Sequence, residues 1–168
     1  MLIILSGLPG TGKSTLAREL ARRLGGVYLR VDTVEAALLN AGHTSMTVEG
    51  YATAYAIAAD NLSLGLSVVA DCVNPVSETR EAWAEVARQS YAALVNVEVI
   101  CSDGIEPRRR VEARYADPAT RAGKWSPPNW EDVEKWAYQP WQTSVLLVDT
   151  AHETGAELAN TILDFVRN

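Results

Sequence analysis

The sequence predicts an α/β fold: a three-layer α/β/α sandwich around a mostly parallel five-stranded sheet, with a helical lid. Three observations carry that reading. Five short apolar runs rich in β-branched residues recur along the 168-residue chain, as buried strands do. Longer segments with helical spacing separate them. The connections are too long for hairpins, which leaves parallel pairing through helical crossovers.

The first run, Leu2 to Leu5, is continuously apolar and stops at Ser6 and Gly7, so it reads as a strand covered on both faces. Helical spacing follows over Lys13 to Leu24. "VYLRV" (Val27 to Val31) is the second strand, followed by predicted helices at Thr33 to Asn40 and Val48 to Leu64. "SVVA" (Ser67 to Ala70) and "VNVEVIC" (Val95 to Cys101) are the third and fourth strands, with a helix predicted over Ser77 to Tyr91 between them. Ile105 to Tyr115 and Trp130 to Tyr138 read as helices of the lid. "VLLV" (Val145 to Val148) is the last strand and Glu153 to Val166 the last helix. A single domain over 1–168 is expected, its lid at about 106–141.

Composition narrows the partners. Hydrophobic residues make up 48% of the chain, enough to bury one sizeable core. A net charge of −6 argues against a broadly basic surface for nucleic-acid backbones, and favours small or locally bound substrates. Cys72 and Cys101 form no closely spaced framework and are expected as reduced thiols. "MLIIL" has no basic flank and is too short to span a bilayer, so a cytoplasmic protein without membrane association is expected.

The strongest motif is "GLPGTGKST". Gly7, Gly12, Lys13 and Ser14 fall into the spacing G-x-x-x-x-G-K-[ST] between a buried strand and a helix. Glycines there let backbone N–H groups turn inward around a polyphosphate, which then sits at a helix N-terminus. Lys13 can reach the β and γ phosphates and Ser14 can ligate Mg²⁺. The predicted nucleotide contacts are Gly7, Gly10, Thr11, Gly12, Lys13, Ser14 and Thr15. Asp71, closing "SVVAD", either orients the metal's water shell or caps the next segment; the phosphate loop upstream favours the metal, with Ser14 as its partner.

Asp32 follows the second strand in "RVDTVEAAL" and therefore emerges on the edge where the phosphate loop lies. A carboxylate there can accept the proton of an acceptor hydroxyl held in line with the γ-phosphate. It also reads as a helix cap paired with Glu35. Arg110 and Arg114, four residues apart, share a helix face and can meet one phosphate from a closing lid, or can simply pair with Glu106 and Glu112.

Four of the five tryptophans and four of the seven prolines fall between Asp117 and Trp141. Trp125, Trp130, Trp136 and Trp141 read mainly as lid packing, with one or two against a ligand. Tyr51 and Tyr55 can form an opposite wall or belong to the core. His43 and His152 have no metal-ligand spacing and read as surface or cap residues.

Taken in order, "GLPGTGKSTLA", "RVDTVEAAL", "GLSVVADCVNPVSETREAW" and "EPRRRVEARYAD" resemble the small P-loop kinases and phosphotransferases of the AAA_33 type. That group includes chloramphenicol phosphotransferase and, more distantly, gluconate kinase and adenylylsulfate kinase. The resemblance implies a P-loop NTPase fold, ATP with Mg²⁺, and Asp32 as base. It also implies a lid beginning at "RRxxxR", with Asn74 and Arg80 near the acceptor by their position. The segments 41–55 and 121–142 match no known acceptor site. Base choice between ATP and GTP rests on the resemblance, the adenine loop being expected near Asp149 to His152.

The expected function is transfer of the γ-phosphate of ATP to a hydroxylated small molecule. A GTP-binding switch is disfavoured because no N-K-x-D segment occurs. A polynucleotide 5′-hydroxyl kinase and a non-catalytic ATP-binding protein stand as alternatives.

Overall fold

A computed structural model describes residues 1–44 and 48–167. Five strands form one sheet in the order β2-β3-β1-β4-β5: β1 (Leu2–Ser6), β2 (Val27–Arg30), β3 (Val68–Asp71), β4 (Leu94–Ile100) and β5 (Leu146–Asp149). Every pairing is parallel. The centre of the sheet is β1, in register with β3 through Leu5 and Asp71 and with β4 through Ser6 and Glu98. The phosphate loop therefore leaves from the middle of the carboxyl edge.

Period-two alternation along β1 explains its unbroken apolar run. Ile3 and Leu5 face a core with α1 (Lys13–Leu24) and α7 (Gly155–Arg167), packed on Leu16, Leu20, Leu158 and Ile162. Leu2 and Ile4 face the opposite core, with Ala54 and Ala58 of α3 (Glu49–Ser63) and Trp83 of α4 (Ser77–Gln89). Both faces of the sheet are thus dry, as strands without polar alternation require.

The remaining elements lie over the carboxyl edge. Val31–Asn40 forms α2, Glu106–Ala116 α5 and Trp130–Glu134 the short α6, with a single 3₁₀ turn at Pro118–Thr120.

Two expectations shift. No loop separates β2 from α2, whose N-cap is Arg30, so Asp32 stands in the first helical turn rather than at a strand end or as the cap. Placed there, its charge meets the positive end of the α2 dipole. The lid helix expected to reach Tyr138 ends at Glu134, because Gln139 N–H donates to Pro75 O at 2.8 Å and draws the chain away from the helix.

Candidate active site

The glycines of the loop are used for close approach. Gly7 and Gly10 have φ of 142° and 88°, a region that side chains rarely adopt. A Cβ on Gly7 would also collide with the Val99 carbonyl, and one on Gly10 with the Pro107 carbonyl at the start of α5. The loop then opens into α1 at Lys13, leaving unpaired N–H groups toward the edge.

Lys13 is buried, with 7% of its surface exposed. Its ammonium donates to Leu8 O at 2.8 Å and lies 3.4 Å from Thr11 Oγ1. Burial holds its pKa below the ordinary lysine value, and Asp71 and Asp32 oppose that shift.

Asp71 is buried at the end of β3. Its Oδ2 accepts from the Tyr28 hydroxyl at 2.8 Å, and Arg30 Nε lies 3.8 Å away. The same Arg30 reaches Asp32 Oδ2 with Nη2 at 2.5 Å. Neighbouring strands arrange this, since Arg30 and Asp71 are partners in the β2–β3 register. The two carboxylates are therefore fixed around one guanidinium.

From the lid side, Arg110 Nε is paired to Glu106 at 2.9 Å, and Nη1 donates to Gly10 O at 3.2 Å and toward Thr150 Oγ1 at 3.4 Å. Thr150, in the loop after β5, donates to Thr11 O at 2.7 Å. Arg114 has a buried Nε with no hydrogen-bond partner, and burial pulls its pKa below the usual guanidinium value. An unpartnered cation turned toward Asp32 and Asp71 is suited to an incoming anion.

A cavity of about 480 Å³ opens among these groups at the carboxyl edge of the sheet; Gly10 and Gly12 border it, whereas Gly7, Thr11 and Thr150 do not. Lys13, Ser14, Thr15, Asp32, Asp71, Arg110 and Arg114 all border it. Trp125 and Trp136 border it too, whereas Trp130 and Trp141 do not. Arg108 and Arg109 instead pair with Glu112 and Glu106 on the exposed face of α5.

Four candidate acceptor residues fall outside the lining, for physical reasons. Tyr51 and Tyr55 pack on the α3–α4 core, Tyr55 edge-on to Trp83 at 4.6 Å, and the Tyr51 hydroxyl accepts from Asn74 N–H at 2.8 Å. Asn74, fully buried, donates to Ser6 Oγ at 3.0 Å. Arg80 is buried beneath the returning lid, donating to Gln139 O at 2.7 Å and Pro140 O at 3.1 Å under the Trp141 ring. These residues support the site from behind.

Sequence reasoning missed Arg18, Tyr28, Arg30 and Asn40, and pointed to the loop Asp149 to His152 without singling out Thr150. Asn40 stands at the end of α2; its amide donates to Ala122 O at 3.0 Å and accepts from Lys124 N–H at 2.8 Å. Arg30 had a local signal, two residues before Asp32; Asn40 had none.

The oxygen-only pair Ser14 and Asp71 suits Mg²⁺, which takes few protein ligands and the rest from phosphate and water. Among the described residues, no cluster of three His, Cys, Asp or Glu side chains forms a dedicated metal cage. No helix among them is long and apolar enough to cross a membrane.

Residues 2–125 match the model of the AAA_33 family, an AAA domain. No curated protein sequence matches the chain significantly. A proposed kinase from Chloroflexus aurantiacus is similar at 26% identity and TM-score 0.72, over 99% of this chain and 96% of that one. The APS kinase CysC of Mycobacterium tuberculosis, in complex with AMPPNP and APS, has 21% identity and TM-score 0.74, over 99% and 97%. A gluconokinase from Sinorhizobium meliloti has 18% identity and TM-score 0.64, over 98% and 90%. The fold is that of P-loop kinases.

Proposed function

Since the chain belongs to the AAA_33 family, we propose that it is an ATP-dependent phosphotransferase acting on a hydroxyl of a small molecule. The observation that supports this reading most is the meeting of three groups in one cavity: the phosphate loop with Lys13, the lid pair Arg110 and Arg114, and Asp32. AMPPNP in the similar APS kinase supports ATP as donor. A bound Mg²⁺ would be held by Ser14 and Asp71 and would neutralise charge on the β and γ phosphates.

In this reading the acceptor oxygen attacks the γ-phosphorus while the bond from phosphorus to the β–γ bridging oxygen breaks. Asp32 takes the hydroxyl proton. Lys13 and Arg114 face the oxygens on which charge accumulates, and they are already desolvated, so little reorganisation is needed. Arg30 keeps Asp32 aimed from β2. Trp125 and Trp136 help exclude water, the competing acceptor.

ADP formation by the purified protein with Mg²⁺ and ATP tests the proposal. The panel comprises hydroxylated antibiotics, sugars and sugar acids, nucleosides, and oligonucleotides with a free 5′-hydroxyl. Stimulation by one small-molecule class, lost in Asp32→Asn, is the expected result. Stimulation by oligonucleotides alone would replace the acceptor class, and ATP binding without stimulation by any would favour a binding protein.

A further inference from the structure

Asp32 and Arg30 each keep one polar atom free beside the bond that joins them. Arg30 Nη2 donates to Asp32 Oδ2 at 2.5 Å, and Nε of the same guanidinium lies 3.8 Å from Asp71 Oδ2. Among the described residues, Arg30 Nη1 and Asp32 Oδ1 have no hydrogen-bond partner, and neither belongs to the buried side-chain atoms that lack one. Both atoms are therefore open. Arg30 and Asp32 keep 19% and 31% of their side-chain surfaces exposed, and both border the cavity.

The surroundings hold this pair in place. Tyr28 donates to Asp71 Oδ2 at 2.8 Å, which satisfies that carboxylate without drawing Arg30 away from Asp32. The Arg30 guanidinium carbon stands over the Trp125 ring, 5.9 Å from its centroid. The turn that presents Trp125 is tied to α2, because Asn40 bonds Ala122 and Lys124. Asp32 is the group to which the phosphotransferase reading brings the reacting hydroxyl, and Arg30 is bonded directly to it. A free acceptor and a free charged donor thus flank the point where that hydroxyl arrives.

We infer that the acceptor carries a second oxygen on the carbon next to the one bearing its reacting hydroxyl, and that Arg30 Nη1 donates to that oxygen. The reacting hydroxyl gives its proton to Asp32 Oδ1, and its neighbour stays unreacted as an acceptor of a charge-assisted hydrogen bond. Oxygens on adjacent carbons stand about as far apart as hydrogen-bonded partners do, which suits a donor and an acceptor on either side of one hydrogen bond. Sugars, sugar acids and other vicinal polyols have this pattern. An isolated hydroxyl would leave Nη1 unused. The inference rests on the phosphotransferase reading and names the acceptor's class.

Initial rates of ADP formation by the full chain with Mg²⁺ and ATP test this on pairs of compounds that differ in the neighbouring oxygens. The pairs are gluconate against a hydroxyhexanoate with one terminal hydroxyl, ribitol against a pentanediol hydroxylated only at its ends, and cis-cyclohexanediol with adjacent hydroxyls against cyclohexanol. The expected result is a preference in kcat/KM of about 10- to 100-fold for the first member of at least one pair, the worth of a hydrogen bond to a charged group. Arg30→Lys keeps a cation for Asp32 but has no second edge, so the preference should collapse toward unity there while the rate on the second member falls less. Arg30→Gln should lower both rates and erase the preference as well. A merely structural role of Arg30 would change the rates and leave their ratio unmoved. Equal rates within every pair, stimulation by no compound, or a preference that survives in both variants would overturn the inference, while AMPPNP binding keeps the parent reading standing. Failure to bind AMPPNP would overturn both.

Discussion

Arg30 Nη2 lies 2.5 Å from Asp32 Oδ2, so the candidate base is ion-paired and oriented before any acceptor arrives. Asp32→Asn preserves the shape of that contact and removes the proton acceptor. Nucleotide affinity should stay nearly unchanged while transfer falls by roughly 10²- to 10⁴-fold. Single-turnover kinetics beside AMPPNP titration check this; equal loss of both would indicate a metal-binding or structural role.

Lys13 is buried against its own loop, so truncation removes a desolvated charge rather than a surface one. Lys13→Ala should lower turnover by about 10²-fold or more, as loss of a preorganised electrostatic contact does. Unchanged turnover would reject the phosphate-loop assignment.

Arg114 offers a buried Nε with no partner of its own, which makes it available to charge that appears only during transfer. Arg114→Ala should reduce kcat by about 10³-fold, in the range of arginines that stabilise a transferring phosphoryl group. KM for ATP should move far less, and a loss confined to KM would assign it to ground-state binding.

Asn40 joins the end of α2 to the lid through two hydrogen bonds at Ala122 and Lys124. Asn40→Ala should loosen that joint by about 1–3 kcal/mol, the net worth of two such bonds. Hydrogen exchange at residues 122–125 should accelerate correspondingly, with the sheet's protection unchanged.

Glu35, half-buried near Asp32, has its carboxyl pushed up to about 7, first by burial and then by the Asp32 charge. The folded chain thus binds a proton there that the unfolded chain releases near pH 4.5. Stability from this group is full below that pH, declines as pH rises, and is gone above about 7. Glu35→Gln should therefore match the parent near pH 5 and exceed it at pH 8 by about 1–2 kcal/mol, reduced from the full linkage value because the group is partly solvated. Urea unfolding at the two pH values decides it; a gain at both would point to packing.

The sheet, the phosphate loop and the pair Arg110 and Arg114 were legible because their signals are local: a continuous apolar run, a fixed glycine spacing, a four-residue interval on one helix. Asp32 was legible as a cavity residue but not as a helical one, since "RVDT" carries no break that distinguishes a strand end from a first turn. The lid's docking was not legible. Asn40 meets Ala122 across 82 positions and Arg80 meets Pro140 across 60, and pairings at that separation leave no spacing to detect. Tyr51, Tyr55, Asn74 and Arg80 lie outside the cavity lining, and polar or aromatic character near the edge does not tell a lining residue from its support.

The lid is pinned in three places: at Gly10 by the start of α5 and Arg110, at Asn40, and at Arg80. A strap so fastened does not swing like a paddle on a single hinge. Between the Asn40 and Arg80 footings, residues 126–137 carry α6 and Trp136 and, among the described residues, are held by packing such as that of the buried Val133 rather than by hydrogen bonds to the rest of the fold, which makes that span an arch. In the proposed reaction the acceptor would pass beneath this arch, and a chain that loses the Asn40 footing gains a wider arch rather than an unhinged lid.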